Sequence, residues 1–139
     1  MRENCYQIDY KKELVDLNKF ANFYVILDYW LKLFEEGKKI NTFFERRGYK
    51  KISIYGMASL GKHLMKQLEN SDIEVIYTVD SGVVEYNKKF IDIREYSGDF
   101  PNVDVMIVTP IVEFEKIRDL YKSRAKCDVI SLEEVILSV

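Results

Sequence analysis

Histidine, cysteine and uninterrupted apolar runs are what this chain of 139 residues has least of. One histidine, and two cysteines standing 122 residues apart at Cys5 and Cys127 with no C-x-x-C pattern, argue against a zinc site built from the usual ligands. The same scarcity makes a reduced, cytoplasmic setting the expectation. Charge of either sign is not in excess. The 21 Lys and Arg against 23 Asp and Glu leave a net −2 at pH 7, so no nucleic-acid footprint and no polybasic membrane patch stands out. The start, Met1-Arg2-Glu3-Asn4-Cys5, is polar and lacks the apolar region of a signal peptide. The most apolar run, Phe20 to Phe34, is interrupted by Asn22, Asp28 and Lys32, which makes it too short and too polar for membrane insertion. What is plentiful is aromatic: 10 Tyr and 8 Phe, read chiefly as core and interface material.

The most informative stretch is Ile52-Ser53-Ile54-Tyr55-Gly56-Met57-Ala58-Ser59-Leu60-Gly61. It reads as a short buried strand, a tight glycine turn and the opening of a helix, with the spacing of a dinucleotide-binding fingerprint and Ala58 in place of the middle glycine. Gly56 suits the turn because it lacks a Cβ. Gly61, one and a half helical turns on, lets the helix lie close to the strands. Between them the free N–H groups near Ala58, Ser59 and Leu60 carry the positive end of the helix dipole, a setting for a pyrophosphate. Ser59 is a candidate N-cap. The next strand, Glu74 to Val79, ends in Asp80, 19 residues after Gly61, where a ribose 2′-hydroxyl partner belongs. No arginine follows Asp80 directly, so a plain ribose is expected over a 2′-phosphate. Ala58 puts a methyl group where the pyrophosphate normally touches backbone. The competing reading is that the glycines only make the turn and Asp80 only caps a loop.

In chain order, residues 1–12 read as a loose polar lead-in. From Glu13 the pattern is helical. Leu14, Leu17, Ala21, Tyr24, Leu27, Leu31 and Phe34 form one stripe; Phe20, Phe23, Ile26, Trp30 and Leu33 form a second. A helix apolar on two faces packs both within its own core or offers one to a partner. The expectation is a self-association surface centred on Trp30, giving a homodimer or a contact with a partner domain. Gly37 ends this helix. A short helix, Asn41 to Arg47, follows, with Ile40, Phe43 and Phe44 inward and Asn41 as its candidate cap.

Beyond Gly48 the pattern is strand Lys51–Tyr55, helix from Ser59 to about Asn70, strand to Asp80, a loop over 81–89, a short strand at Phe90-Ile91 and a helical turn at Asp92–Tyr96. Strand Val103–Thr109 is nearly continuous in apolar character, as a central parallel strand is, and Pro110 ends it. Helix Val112–Ser123 has Phe114, Ile117, Leu120 and Tyr121 inward, with Glu113 and Glu115 outward. Strand Cys127–Ile130 leads to a capping box, Ser131 to Glu134, opening a last helix. Length predicts one domain, organised as an N-terminal helical extension over 1–48 and a Rossmann-like nucleotide-binding-type unit over 49–139. The alternation predicts an α/β fold: a three-layer parallel sheet of four to five strands in order 3-2-1-4, the fifth beyond the fourth. A ligand belongs at the carboxyl ends of the first and fourth strands, where Gly56, Asp80, Thr109 and Ser131 fall. That clustering follows partly from each being a strand-end residue. Thr109 is counted with Gly56, Met57, Ala58, Ser59, Leu60, Gly61 and Asp80 as cofactor-binding, with NAD or another nucleotide as the cofactor. His63, in the first turns of the glycine helix, has no partner spaced to make a triad or dyad and reads as a surface residue; Cys127 reads as a small buried hydrophobe.

Taken together, Ile52–Gly61, Asp80, Val103–Pro110 and the closing Ile130-Ser131-Leu132-Glu133-Glu134-Val135 resemble a group of small Rossmann-like NAD(P)-binding-type domains. These occur in bacterial capsule, lipopolysaccharide and other surface-glycan gene sets, and are similar to the N-terminal domains of sugar acyltransferases and to CoA-binding-type domains. The resemblance covers roughly residues 40–139. It implies a nucleotide or nucleotide-sugar binding module in glycan assembly. Two other readings stay open: an interaction module whose site is empty and whose aromatic N-terminal helix mediates assembly, and an enzyme whose site forms between subunits.

Overall fold

The computed structural model describes residues 2–82 and 89–139, with side chains from Tyr10 onward. The elements are α1 (Arg2–Glu35), α2 (Asn41–Arg47), β1 (Lys51–Tyr55), α3 (Ser59–Leu68), β2 (Glu74–Asp80), β3 (Lys89–Asp92), β4 (Val105–Val108), α4 (Phe114–Ala125), β5 (Asp128–Ser131) and α5 (Leu132–Leu137). The strands make one sheet in the order β3-β2-β1-β4-β5, every pair parallel. This is the expected α/β arrangement, fifth strand included. Of the expected 81–89 loop, residues 83–88 lie outside the described residues.

The N-terminal segment departs from expectation. Residues 2–12 are not a loose lead-in but the first turns of α1. The sequence has neither glycine nor proline before Gly37, so nothing stops the helix from propagating backwards once its middle is formed. At its far end the Lys38 N–H bonds the Leu33 carbonyl at 2.9 Å and the Gly37 N–H bonds that of Phe34 at 3.0 Å, a Schellman closure.

Helices cover both faces of the sheet. On one face Ile26, Trp30 and Leu33 of α1, Phe43 and Phe44 of α2, Leu60, Leu64 and Leu68 of α3, and Leu132, Val135 and Ile136 of α5 close over Ile52, Ile54, Val75, Val105, Ile107 and Ile130. Trp30 is therefore a core residue, 4% exposed, and not the centre of an interface. Its indole N–H donates to Gln67 Oε1 at 2.9 Å and its ring meets that of His63 edge-on at 6.2 Å. The expected pair of faces on α1 thus divides. The stripe through Trp30 is buried; Leu14, Leu17, Tyr24, Leu31 and Phe34 of the other stripe stand exposed, and Phe20 joins them.

The opposite face holds Tyr77, Val79, Ile91, Phe100, Met106 and Ala125, with Tyr55 and Tyr121 packed against them. A register shift between Ile52 and Ser53 sets Ser53 opposite Tyr77, so that Ile76 and Tyr77 both meet this cluster. The Tyr77 hydroxyl is fully buried and, like the Ser53 and Thr78 hydroxyls, has no hydrogen-bond partner among the described residues. Burial pushes the Tyr77 phenol up to about 12, against a smaller opposing influence of the nearby Ser53 hydroxyl. Tyr77→Phe keeps the ring against Phe100 and removes an unpaired polar atom. It is expected to stabilise the fold by about 1 kcal/mol in urea denaturation. The sign extends to pH. A phenol raised from 10.0 to about 12 favours the folded state while it stays protonated, so wild-type stability falls as pH rises from about 10 to 12. Tyr77→Phe loses that component of the fall.

Smaller differences have local causes. Ile40, not Asn41, is the N-cap of α2, because the Asn41 side chain turns to Glu45 at 2.8 Å. The Ser131 hydroxyl caps α5 through the Glu133 N–H at 3.2 Å, whereas Glu134 lies 3.4 Å from Arg47, so the capping box is half made. Leu120 is exposed rather than inward; Ala125 takes the inner place on α4. Cys127 lies just before β5, half-buried, its thiol pushed up to about 11 by burial.

Candidate functional site

The polypeptide leaves β1 at Tyr55 and turns at Gly56, whose φ of +94° is a conformation that disfavours any Cβ. The turn is held from three sides. The Gly56 N–H bonds the Val79 carbonyl at 2.8 Å, the Thr109 hydroxyl donates to the Gly56 carbonyl at 2.7 Å, and the Thr109 N–H bonds the Tyr55 carbonyl at 2.9 Å. A Cβ on Gly56 would stand 2.5 Å from Thr109 Oγ1 and 2.7 Å from Pro110 Cδ. One on Gly61 would run into the Gly56 carbonyl oxygen. The two glycines therefore do different things: one bends the strand out, the other admits the helix against the bend. Met57 between them is buried, its side chain filling the space beside Gly61.

Ala58, not Ser59, occupies the N-cap of α3, and no side chain caps the helix. Ser59 is already its first helical residue, since the turn from Gly56 is one residue shorter than a serine cap would need. Both are exposed, while Leu60 is nearly buried. Among the described residues no acceptor meets the Ser59 and Leu60 N–H groups, which open α3 with the helix dipole behind them.

Asp80 ends β2 beside this turn. Its Oδ2 accepts the Met57 N–H at 2.6 Å and its Oδ1 accepts the Ser81 N–H at 2.7 Å. The carboxylate is thereby fixed in place while each oxygen keeps acceptor capacity for a further donor.

Gly56, Ala58, Leu60, Asp80 and Thr109 share a cleft of about 520 Å³ on the carboxyl edge of the sheet. It opens between β1 and β4, where the strand order reverses. Met57, Ser59, Gly61 and Ser131 do not line it; Gly61 and Met57 act from behind. Thr109 lines it with a hydroxyl whose proton is already donated to backbone.

Three walls of the cleft carried no local signal in the sequence. The rings of Tyr55 and Tyr121 meet at a tilt, 5.3 Å apart, and form one side, the Tyr55 phenol raised well above the ordinary range, first by burial and then by its contact with Tyr121. Ile111, Val112 and Leu120 give an apolar rim. The outer wall is α1, through Lys19, Asn22 and Phe23, latched to the segment before α4 by the Lys19–Glu113 ion pair at 3.3 Å. Both partners are half exposed, so the pair adds only about 0–1 kcal/mol. Only the spacing of Phe23 with Ile26 and Trp30, which faces the same way, hinted at this wall.

The lining holds two carboxylates, two ammonium groups and no His or Cys. Among the described residues no cluster of His, Cys, Asp and Glu is arranged to hold a metal ion, and His63 stays exposed beside Trp30, away from the cleft. These groups are suited to gripping and orienting a ligand. No family model matches the chain, and neither a curated protein nor a solved structure matches it. Among the described residues no helix is long and apolar enough to cross a membrane.

Proposed function

We propose that this cleft binds a ribonucleotide bearing a diphosphate, of the NAD or nucleotide-sugar kind. The observation that carries the reading is the Asp80 carboxylate, fixed by the Met57 and Ser81 N–H groups beside the open N-terminus of α3. A ribose diol donates to the carboxylate; a diphosphate takes the helix N–H groups. The cleft volume suits such a ligand, since small-molecule sites run from about 300 to 1,000 Å³. The absence of arginine from its lining favours a plain ribose over a 2′-phosphate. Surface-glycan assembly is the context that the resemblance of Ile52–Gly61, Asp80 and Val103–Pro110 supplies for this ligand, and the scarcity of cysteine is in keeping with a cytoplasmic setting.

The test is a thermal-shift series with NAD, NADP, CoA, UDP-sugars and CDP-sugars. A ligand at about 100 times its Kd raises stability by about 2.7 kcal/mol. Asp80→Asn is expected to weaken that ligand by about tenfold to a hundredfold, the worth of a charged hydrogen-bonding partner. A shift that survives Asp80→Asn undiminished, or no shift with any of these probes, overturns the reading. The second reading, an empty scaffold used in assembly, is favoured by one observation: the apolar residues left outside on α1.

A further inference from the structure

Thirteen large hydrophobic residues stand exposed among the described residues, and ten of them are on α1: Tyr10, Leu14, Val15, Leu17, Phe20, Tyr24, Val25, Tyr29, Leu31 and Phe34. They are not scattered. Tyr10, Leu14, Leu17, Ala21, Tyr24, Asp28 and Leu31 alternate by four and three residues, the seam of a two-helix coiled coil, with Phe20 and Phe34 along one flank. A separate stripe, Phe23, Ile26, Trp30 and Leu33, holds the helix to its own core. We propose that the outward seam of α1 is the face on which a second copy of this chain docks, its α1 running antiparallel. This holds whether or not the cleft is filled.

Area makes a partner necessary. The seam runs about 32 Å from Tyr10 to Leu31. With aromatic side chains of about 150–250 Å² each, it exposes on the order of 800–1,000 Å². The largest apolar patch on a monomer is about 300–600 Å², whereas a stable interface covers about 800 Å² on each partner. Between Tyr10 and Ala21 every side chain except that of Asp16 is exposed, so this half of α1 has little support from its own domain. An isolated stretch of that length is a marginal helix in water.

Charge fixes the orientation. A parallel pair in register would set Asp28 against Asp28 and Glu35 against Glu35 across the seam. An antiparallel pair centred between Ala21 and Tyr24 avoids both. It lays Leu14 on Leu31 of the partner subunit and brings the Lys11 end of one helix to the Glu35 end of the other. The unsupported half of each α1 then lies on the supported half of its partner. Asp28 enters already paired with Lys32 at 3.0 Å.

Sedimentation equilibrium of the whole chain tests the proposal, with Leu17→Glu/Leu31→Glu as the comparison. Both residues are exposed, so the fold stays intact, as an unchanged melting curve of the sheet would verify. The wild type is expected to be a dimer and the double variant a monomer. A monomeric wild type overturns the proposal, as does a dimer indifferent to the two charges. A monomer that instead binds phosphatidylglycerol vesicles through α1 also overturns it. Orientation is read separately in a Cys5→Ser/Cys127→Ala background. Leu14→Cys chains mixed with Leu31→Cys chains should give a mixed disulfide; Leu14→Cys bonding to itself would refute the antiparallel arrangement.

Discussion

Gly61→Ala is expected to destabilise the protein by about 2–4 kcal/mol, although alanine is the better helix former by about 1 kcal/mol. Gly61 lies in the first turn of α3 and is buried. The added methyl also nears Met57 Sδ, which can yield, but its tightest clash is with backbone, the Gly56 carbonyl. That carbonyl is not free to retreat, because the Thr109 hydroxyl holds it at 2.7 Å and the Gly56 N–H is tied to Val79 at 2.8 Å. Relief must come from α3 moving off β1, which also shifts the open helix N–H groups and the Met57 N–H that fixes Asp80. Urea denaturation measures the loss, and Lys62→Ala, on the exposed side of the same turn, is the control that should stay near neutral. A stabilised Gly61→Ala would mean that α3 does not sit as closely on the turn as described.

Trp30→Ala is expected to cost about 3–5 kcal/mol, the range for deleting a buried large aromatic. The residue is 4% exposed and sits between α3 and the rest of the α-helical layer, so the deletion leaves a cavity and strips Gln67 of its donor. For a domain of this length the melting temperature should drop by roughly 10–20 °C. The experiment also separates two roles. If Trp30 served an interface, its loss would dissociate the assembly and spare the monomer's melting curve. A core role predicts the reverse for the monomer: a lowered melt at every concentration, including those at which the chain is fully dissociated.

Much of the sheet was legible because its signals are local. Apolar runs at Ile52–Ile54 and Val105–Val108, glycines at the β1–α3 turn and Pro110 after β4 each act within a few residues, and together they dictate alternating elements and hence the strand order. The glycine turn with Asp80 was legible for the same reason. What the sequence hid was relational. Two apolar stripes on one helix look alike until the rest of the fold selects one, and only the structure shows that Phe23, Ile26, Trp30 and Leu33 were selected. Ser59 looked like a cap because serine is a good one; the length of the turn gave the place to Ala58. The Tyr55–Tyr121 side and the α1 wall join residues far apart in the chain, where no spacing rule reaches.

The α1 wall has a consequence in time. Its inner stripe shares a core with α5, packing against residues about a hundred positions further along the chain. A loop of that span closes late in folding, since its entropy is lost before its contacts form. The contacts of Trp30 with Gln67 and His63 of α3 close a much shorter span, so α1 meets α3 before it meets α5. The floor of the site gathers the ends of β1, β2 and β4, and its outer wall is complete only once α5 has packed against α1.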